Sequence, residues 1–191
     1  DVAVLEEGRH PAQRRLAFEE LLAHQLSLRL LRQETDKDAA WSLPRRSDLA
    51  ERCLASLPFK LTGAQKRVWA EIALDLERPH PMMRLVQGDV GSGKTVVAAL
   101  AAVRAVEHGA QAAVMAPTEL LAEQHARNFN AWLEPLGVRV ALLTGRQTGK
   151  VRAALEADLA SGAIQVAVGT HALFQEDIAF QRLVLAIVDE Q

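Results

Sequence analysis

Residues 88–95 read Gly88-Asp89-Val90-Gly91-Ser92-Gly93-Lys94-Thr95, the spacing G-x-x-x-x-G-K-[ST] of a phosphate-binding loop. The apolar run Met82, Met83, Leu85 and Val86 precedes it, and Val96-Val97-Ala98-Ala99-Leu100 follows. That order is strand, glycine turn, helix, and few folds other than a nucleotide-binding α/β sheet accommodate it. Glycines at 88, 91 and 93 permit backbone conformations that a Cβ bars, so successive N–H groups can converge on phosphate oxygens. A helix starting near Lys94 adds the positive end of its dipole. Lys94 is expected to reach the β- and γ-phosphates of ATP, and the hydroxyl of Thr95 to hold Mg²⁺.

Upstream of the loop, residues 10–33 carry Leu16, Leu21, Leu22, Leu26, Leu28, Leu30 and Leu31 among Arg and Glu, which is helical periodicity with Pro11 in the first turn. The pattern predicts an amphipathic helix packed on a neighbouring domain. Residues 35–46 are polar and read as a linker, and Ser47 is placed to cap a short helix through Leu54. Thr62 with Gln65 forms a capping-box pair opening a helix through Val68, Trp69, Ile72 and Leu76.

Beyond the loop, strands and helices alternate. A helix over 94–108 stops at Gly109, a strand covers 111–116, and Pro117-Thr118 opens a helix through Leu133. Strands over 138–143, 164–168 and 183–188 follow, with a helix to about Ala160 between the first two. Alternation of this kind means a parallel sheet with helices on both faces, here preceded by an α-helical segment. In such sheets ligands bind outside the carboxyl ends of the strands. The polar groups Ala116-Pro117-Thr118-Glu119, Thr144-Gly145, Gly169-Thr170-His171 and Asp189-Glu190 each fall at such an end. Asp189 is therefore expected to orient Mg²⁺ through its water shell, and Glu190 to polarise the attacking water as general base.

These motifs together resemble the first motor lobe of superfamily 2 DNA helicases, more narrowly the bacterial branch-migrating kind. The residues that carry the likeness are Phe59-Lys60-Leu61-Thr62-Gly63-Ala64-Gln65, the loop at 88–95, residues 116–125, Leu143-Thr144-Gly145, residues 169–174 and Val188-Asp189-Glu190-Gln191. The resemblance implies a RecA-like motor lobe over residues 58–191, incomplete at its C-terminus, after a helical linker at the end of a wedge region in residues 1–57. It implies that Gln65 reads the adenine edge with Phe59 near the base. It further implies that Pro117, Thr118, Glu119, Thr144, Gly145, Gly169, Thr170 and His171 touch the DNA backbone. Thr118 equally suits a helix N-cap, and His171 a turn. Partners implied are branched double-stranded DNA, a second motor lobe and the wedge domain of the same polypeptide.

Activity implied is ATP-dependent fork regression and Holliday-junction branch migration, in recombination and repair in the bacterial cytoplasm. A nucleotide-switched DNA-binding module, or a translocase of the transcription-repair coupling type that does not unwind, is the alternative. This class of ATPase also places a strand between the loop strand and the Asp-Glu strand, after the Asp-Glu motif in chain order. The 191 residues are thus expected to be a fragment with negligible DNA-stimulated turnover alone. Composition restrains part of this. Net charge is −2, so a DNA claim rests on local sites rather than on a basic surface. One cysteine rules out an internal disulfide, and no apolar run is long enough to cross a bilayer.

Overall fold

A computed structural model describes residues 10–35, 38–89, 91–174 and 178–189; Val90 and Glu190, both expected at the site, lie outside them. The helices are α1 (Pro11–Thr35), α2 (Leu49–Ser56), α3 (Gly63–Leu76), α4 (Lys94–Glu107), α5 (Glu119–Leu133) and α6 (Gly149–Ala160). The strands are β1 (Gln111–Met115), β2 (Val140–Leu143), β3 (Val166–Gly169) and β4 (Leu183–Val188). All pairings are parallel, in the order β2-β3-β1-β4. Short strands of Val, Ala, Leu and Ile buried on both sides are what such a sheet requires.

Successive strand residues point to opposite faces. Ala112, Val114, Val140, Val166, Val168 and Leu185 join one core with Leu100 of α4 and Phe129 of α5. Ala141, Leu143 and Ala167 join a second with Leu159 of α6 and Leu173. Helices thus cover both faces. At the amino edge Gln111 is buried yet satisfied: its amide donates to the carbonyls of Leu159 and Ile164, and its oxygen accepts from the Arg182 N–H.

The main core extends upstream of residue 58. Leu43, Ala50, Cys53 and Leu57 are buried in it, against α4 and α5. Glu107 at the end of α4 accepts from the Ser47 hydroxyl and the Ala50 N–H, while buried Arg104 lies within 3.6 Å of Glu107 and over Trp69. The cap of α2 is not Ser47 as expected but Asp48, with no side-chain cap hydrogen bond; the Ser47 hydroxyl instead accepts from the Leu49 N–H at 3.1 Å, two residues on. The helix α1, by contrast, leaves Leu16, Phe18, Leu21, Leu26 and Leu30 exposed.

One expected strand does not form. Among the described residues, 82–86 join no ladder, and Met83 and Leu85 are 77% and 80% exposed. A strand exists only with a partner, and among the described residues β4 pairs with β1 alone on its inner side. A cleft of about 270 Å³ is lined by Met82 and Met83 of this segment together with Val184, Leu185 and Ala186 of β4. Side chains hold the segment instead. Arg84 donates to Asp75 and Glu71 on α3, both at 2.7 Å, and these carboxylates hold its guanidinium above its ordinary pKa.

Burial pushes the Cys53 thiol from 9.0 up to about 11. The folded chain therefore keeps this proton more tightly than the unfolded chain does. The stability tied to it is intact below pH 9 and is lost as pH rises toward 11. Native protein at pH 8 should resist thiol reagents and react at Cys53 only after urea unfolding. The fall in urea midpoint above pH 9 should be smaller for Cys53→Ala.

Candidate active site

The phosphate-binding loop closes on itself. Gly91 and Gly93 have φ of 79° and 80°, in the left-handed region where a Cβ is strained. The Ser92 N–H donates to the Asp89 carbonyl at 3.1 Å. Lys94 folds back over the loop, its Nζ donating to the carbonyls of Gly88 at 2.7 Å and Asp89 at 3.2 Å.

What the N-terminus of α4 lacks is as informative as what it has. The N-termini of α3 and α5 are capped by Thr62 and Thr118, whose hydroxyls accept from Gln65 and Leu121 N–H groups. The start of α4 has Gly93 as cap, no side-chain cap hydrogen bond and no acidic residue in its first turn. A helix end left with free N–H groups, its dipole unopposed and a lysine alongside, is fitted to an anion.

Gln65 completes the capping box at Thr62 and does a second job. Its Oε1 accepts from the Thr62 N–H, and its Nε2 donates to the Ser92 carbonyl, both at 2.8 Å. It thus lies against the phosphate loop, with one amide hydrogen left over. Phe59 is half-exposed, and its ring meets Trp132 of α5 edge to face, with centroids 6.1 Å apart.

Asp189 stands at the carboxyl end of β4, and its N–H donates to the Met115 carbonyl at 2.8 Å, extending the ladder one residue past the strand. Its Oδ2 lies 2.6 Å from Nε2 of His125 on α5. The helix α4 packs on β1 and β4 and starts at the same sheet edge, on the face that also carries α5. Lys94, Thr95 and Asp189 therefore share one edge and one face. The donors fit a hard cation, being a hydroxyl and a carboxylate. Among the described residues no group of three or more His, Cys, Asp or Glu is arranged for a metal. A magnesium carried in on phosphates needs none.

Three other strand ends meet beside this one. The Ala116 N–H donates to the Gly169 carbonyl at 2.8 Å, so Pro117-Thr118-Glu119 starts next to Gly169-Thr170-His171. A Cβ on Gly145 would lie 3.9 Å from Glu119 Oε1, and Arg146 pairs with Glu119 and Glu123. Thr144 and Thr170 are buried, whereas Pro117, Thr118, Gly145 and His171 present themselves to solvent. Gln147 braces the turn, accepting from the Thr144 N–H and donating to the Leu142 carbonyl, both at 2.9 Å. Arg146 and Gln147 were not singled out from the sequence, and His125, though it ends the 116–125 stretch, was given no role there. For Arg146 a signal existed, since it is the cation of the Thr144-Gly145 turn.

Comparison with known proteins adds the family. The DEAD/DEAH box helicase family profile matches residues 62–191. The "ATP-dependent DNA helicase RecG" of Escherichia coli (strain K12) is 59% identical over 187 residues, covering 98% of this chain and 27% of that protein. The protein of the same name from Haemophilus influenzae is 56% identical over 188 residues, again 98% and 27%. A solved structure of RecG bound to a three-way DNA junction superposes with a TM-score of 0.86 at 47% identity, over 93% of this chain and 24% of that one. The chain spans about a quarter of the length of the curated relatives it matches.

Proposed function

The chain belongs to the DEAD/DEAH box helicases, and on that premise we propose that it is the nucleotide-binding motor lobe of an ATP-driven enzyme that remodels branched DNA. The observation that carries the reading is the uncapped, acid-free start of α4 with Lys94 folded beside it. That terminus lies on the sheet edge where three further loops gather. The relatives' names, and the three-way DNA junction bound in the solved RecG structure, supply the nucleic-acid half.

ATP would supply the transferable phosphoryl group, and bound magnesium would neutralise much of its charge. The chain's own residues do the rest. Lys94 exchanges its two carbonyl partners for phosphate oxygens, which are stronger acceptors. Backbone N–H groups of the loop, residues 88–95, would donate to the phosphates, and the Thr95 hydroxyl and Asp189 carboxylate would hold the metal with its waters. Glu190 takes the proton of the attacking water. Gln65 reads adenine with its remaining amide hydrogen and its oxygen's second lone pair, with Phe59 nearby.

Pro117, Thr118, Glu119, Thr144, Gly145, Gly169, Thr170 and His171 hold the DNA backbone, chiefly through backbone N–H groups and hydroxyls. Arg146 offsets the charge of Glu119 there. A second motor lobe and a wedge domain of the same polypeptide complete the machine. Its place is the bacterial cytoplasm, and no described helix is long and apolar enough to cross a membrane.

The test is ATP hydrolysis by the intact protein with no nucleic acid, with linear duplex, with a three-way junction and with RNA. Junction DNA should raise the rate by at least about tenfold, which is on the order of 1.4 kcal/mol of barrier. Equal rates under all four conditions would rule out the motor and leave a nucleotide switch.

A further inference from the structure

His125, the last residue of the 116–125 stretch, is 8% exposed, and neither the nucleotide nor the DNA contacts proposed above use it. A carboxylate only accepts hydrogen bonds, so the 2.6 Å contact with Asp189 Oδ2 requires His125 Nε2 to carry the hydrogen. The other ring nitrogen, Nδ1, is buried with no hydrogen-bond partner among the described residues. Among the described residues a single polar contact therefore orients this ring, and it is made to the carboxylate that stands at the carboxyl end of β4. It occupies Oδ2, so Oδ1 would remain for the water shell of a bound metal.

The position of His125 on α5 matters as much as its partner. It lies seven residues from Thr118, two helical turns, and so on the same helix face about 10 Å from the N-cap. The start of α5 is tied to the DNA-facing loops through Glu119, which pairs with Arg146. Ala122 between these points, and Ala126 and Phe129 beyond them, are buried and hold the helix on β2 and β3 as one rigid element. A displacement of its N-terminus therefore moves the imidazole with it.

We propose that His125 is the positioning residue that sets the metal-facing carboxylate of Asp189 and links it to DNA contact at the start of α5. The inference rests on the motor reading above. The imidazole holds the Asp189 carboxylate in the orientation the metal needs, and α5 transmits engagement of DNA to that orientation. Removal of a hydrogen bond that orients a metal-facing carboxylate costs on the order of 10- to 100-fold in metal affinity or activity.

Three variants of the intact protein test this: His125→Leu, His125→Asn and His125→Gln. The Gln amide nitrogen reaches about as far as Nε2, whereas that of Asn stops near Nδ1. One readout is binding of a fluorescent ADP, titrated with and without Mg²⁺. The other is the ratio of junction-stimulated to unstimulated ATP turnover. His125→Leu and His125→Asn should weaken the Mg²⁺-dependent part of ADP binding about tenfold or more, and lower the stimulation ratio, while metal-free ADP binding holds. His125→Gln should restore most of both.

If the Leu variant does not fold, the Asn and Gln pair decides, because these differ in donor reach at equal polarity. Asn and Gln variants that behave alike, whether both normal or both impaired, overturn the proposal. Wild-type protein that junction DNA fails to stimulate sinks the motor reading instead, so the two failures are distinct.

Discussion

Lys94→Ala in the intact protein is expected to lower ATP turnover by on the order of 10³-fold, with or without DNA. The ammonium is the one described cation of the phosphate loop, and an alanine there leaves the β- and γ-phosphates with backbone N–H groups only. The fold should hardly notice. Lys94 donates to two carbonyls that water can serve in its place, so unfolding free energy should change by about 1 kcal/mol or less. Lys94→Arg should rescue little, since a planar guanidinium fork differs in shape and reach from a compact ammonium. Steady-state turnover beside a urea melt separates the outcomes. Near-wild-type hydrolysis by a folded Lys94→Ala protein removes the catalytic assignment.

Gly169→Ala should cost about 3 kcal/mol of stability, toward the upper end for forced overpacking. A Cβ there would run into the Leu143 carbonyl oxygen and sit 2.9 Å from Leu173 Cγ. The first neighbour is backbone of the adjacent strand and cannot swing aside, so either the β2–β3 ladder opens or the strands part. Gly91→Ala is the informative contrast. Gly91 sits at φ 79° with nothing within 4 Å of its virtual Cβ. Only left-handed strain opposes that change, about 1–2 kcal/mol. The same methyl group should therefore hurt more at 169 than at 91 in a urea melt, even though only Gly91 has an unusual φ. The reverse order would mean that β2 and β3 do not approach as closely as described.

Much of the architecture was legible because its signals are local. The glycine loop, the Thr62–Gln65 capping box and the Thr118 cap depend on residues a few positions apart, and each stands where spacing put it. The parallel sheet was legible from apolar runs too short for helices. Features that depend on distant partners were not. Residues 82–86 have strand composition, yet a strand needs a neighbour, and Arg84 with Asp75 and Glu71 anchors them to α3 instead. Leu43 and Cys53 sit in a stretch that reads as linker and short helix, but α4 and α5 present an apolar surface that buries them.

The candidate site divides along the same line. Asp189 stands where the carboxyl end of its strand must place it, and Lys94 and Thr95 open the helix that packs on that strand. His125 meets Asp189 across 64 positions, and although it ends the 116–125 stretch, nothing local reveals that partner. Gln65 shows both behaviours: its capping role is written in the Thr62 spacing, whereas its bond to the Ser92 carbonyl appears only once the loop folds back.

The central claim is that the loop over 88–95 wraps a triphosphate whose metal faces the carboxylate of Asp189. A crystal structure of the intact protein with Mg²⁺ and a non-hydrolysable ATP analogue tests it most directly. The account predicts the β-phosphate inside the loop, Lys94 Nζ moved from the Gly88 and Asp89 carbonyls onto phosphate oxygens, Thr95 on the metal and Asp189 facing its waters. Nucleotide bound elsewhere, or a metal turned away from Asp189 with Lys94 still on its two carbonyls, contradicts it.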